Sequence, residues 1–304
     1  MKVEKRVANA GATDLCRAAE AYTAPKLSMN DVVRRTCPSC GRDNAPSSPT
    51  IYGDTNWPIK ECSKCEFVYL EVAPVYARLV EEFAWEKTSV AETDRRVAAE
   101  PVRQSISKQF KAFRRQWLKR DKLPYLIHGF IQPGNVLDIG CAGGGALSNL
   151  DTMYVPHGIE ISRALALSAE EKVKSRGGHI VHDAAVLGLE KFPADFFSGV
   201  LLSAFLEHEI EPKPLLIGVC RVLRPGGSCI IKVPNYASLN RVIRGKKWCG
   251  FRIPDHVNYF TPASLVRMCR QAGFEIAKFD VADRLPTSDN MWIVIRKANI
   301  LRSP

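Results

Sequence analysis

From Asn135 onward the chain alternates short apolar runs with stretches of helical spacing, and nothing else in the sequence constrains the fold as strongly. "NVLDIG", "HGIEIS", "HIVHDA", "SGVLLSAF" and "SCIIKVPN" read as five strands. "GGALSNL" reads as a short helix. "RALALSAEEKVKSRGG" and "KPLLIGVCRVLRPGG" read as longer helices, each expected to stop at its glycine pair. "PASLVRMCRQAGF" is a further helix, and "EIAKFDVA" and "MWIVIRKA" close the pattern as strands. Strands that alternate with helices form a mostly parallel sheet covered on both faces. The predicted class is therefore α/β, a Rossmann-like sheet. With 46% hydrophobic residues in 304, the chain can bury the core such a sheet needs.

In open sheets of this kind ligands sit beyond the carboxyl ends of the strands. The first strand leads into "VLDIGCAGGGAL", Val136 to Leu147, where Asp138 stands directly before a glycine turn. A phosphate-binding P-loop needs G-K-[ST], which is absent. A dinucleotide site needs G-x-G-x-x-G, and Ala142 occupies the place of the second glycine. Asp138 would also repel a pyrophosphate. It suits a ligand with an ammonium group and no phosphate, such as S-adenosylmethionine. Glu160 follows 22 residues later, at the end of the second strand, and can accept hydrogen bonds from ribose hydroxyls; NAD would satisfy it equally. Asp183, at the end of the third, can meet an adenine amino group or cap a helix. Three acids thus stand at the ends of three successive strands.

"VLDIGCAGGGAL", "GIEIS", "HDAA", "SGVLLSAFLEHEIEP" and "RVLRPGGSCIIKVPN" occur in the motif order of the class I S-adenosylmethionine-dependent methyltransferases. The chain resembles in particular their ubiquinone-biosynthesis-like small-molecule group, over residues 120 to 298. The resemblance implies a seven-stranded sheet with the last strand antiparallel. It puts Asp138, Gly140 and Gly144 around the methionine end of the cofactor, with Cys141 and Ala142 in the same turn. It puts Glu160 and Ile161 at the ribose, Asp183 and Ala184 at the adenine, and Ser203, Ala204 and Phe205 under the methyl group.

Ahead of this region, "CPSC" and "CSKC" supply Cys37, Cys40, Cys62 and Cys65. Two C-x-x-C pairs offer four thiolates to one tetrahedral zinc ion, and four thiolates close the site, so the zinc would be structural. Two disulfides, or a ribbon that holds no metal, are the alternatives. Zinc pairs ahead of such a domain resemble bacterial methyltransferases with an N-terminal zinc module. The expected organisation is an extension over 1–30, a zinc-ribbon-like module over 31–72, a helical linker or lid over 73–132 and the methyltransferase domain over 133–300. The linker is basic, with Phe110, Phe113, Trp117 and Leu118 interleaved. It reads as a helix packed on the next domain, or as a nucleic-acid or membrane-surface helix. No apolar run spans a bilayer and the N-terminus lacks an apolar leader core, so a cytoplasmic location is expected. The net charge of +11 favours an acidic partner without naming one.

"RGKKWCGFRIPDHVNYFTPASL" reads as an aromatic, basic loop over the active site, or as a packed loop with Phe251 and Tyr259 in a satellite core. Two histidines follow strand ends, His208 and His256. Either can serve as a general base for a hydroxyl or carbon acid, with His208 preferred, and each can also be structural. The expected activity is methyl transfer to a small-molecule or carrier-linked acceptor, at oxygen or carbon. The alternatives are a zinc-ribbon RNA-binding module that recruits an RNA methyltransferase, and an NAD-dependent oxidoreductase.

Overall fold

The structure is a computed structural model that describes residues 32–75 and 122–299. The N-terminal extension and the basic stretch around Phe110 and Trp117 lie outside the described residues.

The cysteine-bearing segment folds into four short strands: β1 (Val32–Arg34), β2 (Ile59–Glu61), β3 (Val68–Leu70) and β4 (Val72–Pro74). β1 pairs with β4, and β2 with β3, both antiparallel. The helix α1 (Lys122–Phe130) then leads into the main sheet. There the order along the chain is β5 (Gly134–Ile139), α2 (Gly145–Ser148), β6 (Tyr154–Glu160), α3 (Arg163–Val173), β7 (Ile180–His182), α4 (Ala185–Glu190), β8 (Phe197–Ser203), α5 (Pro212–Val222) and β9 (Leu223–Pro234). It continues through α6 (Leu239–Arg244), β10 (Asn258–Tyr259), α7 (Pro262–Gln271), β11 (Phe274–Lys278) and β12 (Asn290–Lys297).

Seven strands form one sheet in the order β11-β12-β9-β8-β5-β6-β7. β5 through β9 pair in parallel, and β12 runs antiparallel to both its neighbours. This is the mostly parallel, Rossmann-like seven-stranded sheet with its last strand antiparallel that the sequence predicts. β5 is central because both its faces are apolar: Leu137 and Ile139 enter one core, Val136 the other. The first core takes Leu215, Leu216 and Val219 of α5 with Leu265 and Met268 of α7; the second takes Leu126 of α1 and Ala166, Ala169 and Val173 of α3.

One expectation fails at "RPGG". The glycine pair does not stop α5, which ends at Val222. Leu223 already faces Phe197 in the ladder, and Ser228 faces Gly199, so Arg224–Gly227 bulges out of β9. Gly226 takes φ 75 in that bulge, which explains the glycine.

β10 lies in the stretch expected to loop over the site. It pairs antiparallel with β3, Asn258 opposite Tyr69 and Tyr259 opposite Val68, completing a three-stranded sheet. Phe251 and Tyr259 do join a satellite core, together with Trp248, Tyr236 and Ile59, Val68 and Leu70 from the cysteine segment. Buried Arg35 fastens the seam: its guanidinium donates to the carbonyls of Leu70, Val257 and Ile210 and to Asn258 Oδ1, at 2.8–3.2 Å.

Candidate active site

The chain turns to opposite sides after β5 and β8, which leaves a crevice at their carboxyl ends. A cavity of about 480 Å³ opens there. The glycine turn forms one wall. Gly140 has φ 73, and a β-carbon on it would lie 2.3 Å from Phe205 Cδ2, so only glycine lets that ring close over the turn. Ala142 also adopts a left-handed backbone, φ 47, where glycine would be unstrained.

Two carboxylates face the cavity from adjacent strands. Glu160 is buried, with its oxygens held by backbone N–H groups: Ala142 N donates to Oε2 at 2.8 Å and Ser162 N to Oε1 at 2.9 Å. Asp138 is buried beside it, and burial, with the Glu160 charge adding, pushes its pKa up to about 7. The pair is an electrostatic demand for a cation or a set of donors. Asp183 is differently placed: it pairs with Lys191 at 2.7 Å and accepts from Ala184 N at 2.8 Å, and its pKa is lowered, chiefly by the lysine.

Of the residues singled out from sequence, Asp138, Gly140, Cys141, Ala142, Glu160, Ile161, Asp183, Ser203, Ala204, Phe205 and His208 line this cavity. Gly144, Ala184 and His256 do not. Gly144 sits against α3, where a β-carbon would come within 3.0 Å of Ala169 Cα, and Ala184 caps α4 while its neighbour Ala185 lines the wall. Sequence reasoning did not assign Leu123, Gly145, Ala146, Ile159, Ala185, Glu209, Lys232 and Asp255 to the site. Gly145 and Ala146 simply continue the turn, and Asp255 precedes a histidine that was singled out. Lys232 and Leu123 gave no signal.

The two histidines form one cluster rather than alternatives. Their rings stand 4.6 Å apart, edge to face. His208 Nδ1 lies 3.0 Å from the Asp255 carbonyl and 3.3 Å from Asp255 Oδ1. Burial disfavours its charged form, but the Asp255 carboxylate outweighs that and raises its pKa. His256 is buried behind it; burial, then the His208 charge, depress its pKa well below the ordinary value.

Cys37, Cys40, Cys62 and Cys65 are free thiols gathered so that all four sulfurs lie within 4.8 Å of one another. Cys37 Sγ is 3.5 Å from Cys65 Sγ, and Cys40 Sγ 3.6 Å from Cys62 Sγ. Zn–S bonds of about 2.3 Å in a tetrahedron put sulfurs about 3.8 Å apart, so the donor set fits zinc. Each pair sits in the same backbone turn: Gly41 N donates to Cys37 O and Glu66 N to Cys62 O, both at 2.8 Å. The residue after each second cysteine is left-handed, Gly41 at φ 72 and Glu66 at φ 58. Burial works against ionisation of Cys62, yet N–H groups of Lys64 and Cys65 bring its pKa down to about 6.

This sheet and crevice define a methyltransferase, and the chain belongs to that family: the family model described as "Methyltransferase domain" matches residues 110–278, more than half of the chain. Among curated proteins it is similar to the ubiquinone biosynthesis O-methyltransferase of Aromatoleum aromaticum, 30% identical over 152 residues, covering 47% of this chain and 64% of that protein. The protein of the same name from Psychrobacter arcticus is also 30% identical, over 154 residues, covering 46% and 58%. The matched stretch thus spans less than two thirds of these relatives. A solved SAM-dependent methyltransferase from Archaeoglobus fulgidus aligns at 21% identity and a TM-score of 0.46, over 62% of this chain and 99% of that one. Among the described residues, no helix is long and apolar enough to cross a membrane.

Proposed function

We propose that the chain transfers a methyl group from S-adenosylmethionine to a hydroxyl of a small-molecule or carrier-linked acceptor. The observation that carries this reading is the buried Asp138–Glu160 pair beside the left-handed glycine turn. A pyrophosphate would meet two carboxylates there; an amino acid ammonium and a ribose would meet the charge and lone pairs they need. When bound, the cofactor supplies a methyl group made electrophilic by a sulfonium. Asp138 would hold its ammonium group. Glu160 would accept from the ribose hydroxyls, with orientation already fixed by the two N–H groups it holds. Asp183 would meet the adenine amino group, and Ser203 to Phe205 would floor the methyl end. Rate comes largely from holding acceptor and methyl group in line.

Oxygen as the accepting atom is supported by the activity for which the curated relatives are named. It also agrees with His208, which faces the cavity and whose Nδ1 is turned to Asp255. The imidazole therefore presents the lone pair of Nε2 to the acceptor, the pair a general base would use. The cysteine cluster would hold a structural zinc that contributes folding free energy.

Isothermal titration with S-adenosylmethionine, its demethylated product and NAD tests the reading. The first two should bind and NAD should not. Glu160→Ala should weaken cofactor binding by about 1–3 kcal/mol, the scale for leaving buried polar partners unmet. Binding of NAD alone would overturn the proposal.

A further inference from the structure

The net charge of +11 favours an anionic partner, yet the cavity is a poor place for one: Asp138, Glu160, Asp183, Glu209 and Asp255 line it against a single ammonium, Lys232. A second hollow, of about 760 Å³, shares no lining residue with it. It lies along α7, which turns Leu265, Met268 and Cys269 into the core and carries Arg267 and Arg270 on its other side. Ala237, just after β9, and Arg284, in the connection from β11 to β12, complete the lining. Three guanidiniums thus meet at one hollow, and among the described residues no acid lines it. Arg267 is half-buried, and its Nη2 donates to the Cys65 carbonyl, which fixes its fork. Arg284 lies over the Phe279 ring, 5.1 Å from its centroid. The acids that precede Arg284 are engaged elsewhere: Asp283 pairs with Lys122 at 2.7 Å and with Lys278 at 3.1 Å, and Asp280 with Lys278. Neither Arg270 nor Arg284 has an ion-pair partner among the described residues.

Guanidiniums gathered without a counter-charge repel one another and raise the local concentration of anions. Arginine presents a planar fork that holds phosphate oxygens two at a time. A single phosphate carries about two charges near neutral pH, so three guanidiniums match a diphosphate better. The arginines face a hollow rather than a stripe, which suits a small anion and not a nucleic-acid strand. We propose that this hollow binds a diphosphate group between Arg267, Arg270 and Arg284. A nucleoside diphosphate and a diphosphate on an aliphatic carrier both present that group. The site is separate from the cofactor cavity and does not depend on the methyltransferase reading.

Calorimetry on the full chain tests this with inorganic pyrophosphate, uridine diphosphate and isopentenyl diphosphate in turn. One saturable equivalent is expected, weakening as salt is raised. Arg270 and Arg284 are exposed, so their substitution leaves the core intact. Arg270→Gln and Arg284→Gln should each weaken binding at least ~10-fold. Arg270→Lys, which keeps the charge and loses the fork, should weaken it about threefold. Excess demethylated cofactor should leave the binding unchanged. An ester that binds more tightly than pyrophosphate identifies the source of the group, and equal affinities assign the diphosphate alone. Absence of saturable binding, binding undiminished in both glutamine variants, or displacement by the demethylated cofactor refutes the site. So does tighter binding of a single-stranded oligonucleotide, which would make this surface a nucleic-acid contact. The cofactor reading stands or falls on its own titration, whichever result is obtained here.

Discussion

Replacing Asp138 with asparagine removes a charge that the cofactor-free fold holds at a cost. The folded carboxyl titrates near 7 against an ordinary 3.8, so the folded state keeps its proton where the unfolded chain has released it. Stability from this group is complete below about pH 4 and is lost as pH rises through about 7. The loss is about 1.4 kcal/mol per pH unit across that window, or about 4 kcal/mol by pH 8. An asparagine side chain has no proton to release in this range. At about 2–4 °C per kcal/mol for a chain of this size, the melting temperature of the substituted protein should exceed that of the parent by roughly 10 °C at pH 8. Below pH 4 the two should converge. Thermal melts of both proteins without cofactor, from pH 4 to 8, measure the difference and cancel every other titrating group. The cofactor arm has the opposite sign. The parent should release about three quarters of a proton on binding S-adenosylmethionine at pH 6.5, read from calorimetry in buffers of different ionisation enthalpy. Asp138→Asn should bind weakly and release none. Parallel melting curves at all pH values would refute the argument that a strained carboxylate faces this cavity.

Ala142→Gly should raise stability by about 1–2 kcal/mol in urea unfolding, because it relieves a left-handed alanine and leaves the N–H to Glu160 in place. Gly140→Ala should do the reverse and cut cofactor affinity at least ~10-fold in calorimetry, since the new methyl displaces the Phe205 ring. Metal analysis of the parent should find one zinc per chain, and Cys37→Ser should lose it. The substitution should also raise hydrogen exchange in residues 250–260, because β10 hangs on β3.

The sheet was legible because each strand announces itself twice, by its apolar run and by the acid or glycine that ends it. Asp138 and Glu160 were legible for the same reason: a carboxylate ending a buried strand has few other uses. What stayed hidden depends on contacts between distant residues. Asp255 lines the cavity through a loop whose path is set by Arg35 and Tyr69, about two hundred residues earlier, and local pattern carries no trace of such a partner. Gly144 reads like the other turn glycines, yet its φ of 75 and its closeness to Ala169 serve helix packing. "RPGG" misled because a glycine that stops a helix and a glycine that makes a bulge require the same backbone freedom.

The pairing of β3 with β10 also fixes an order of events during synthesis. Tyr69 leaves the ribosome roughly 190 residues ahead of Asn258, its partner in the ladder. At about 5–20 residues per second, the cysteine segment waits about 10–40 s with one strand edge unpaired. Arg35 waits as long for the carbonyls of Ile210 and Val257. The four thiols all lie within residues 37–65 and can gather first; the segment's third strand arrives nearly last. A fragment ending at residue 75 would therefore carry all four thiols and still expose the edge of β3 and the apolar faces of Ile59 and Leu70, a template for self-association rather than a separable domain.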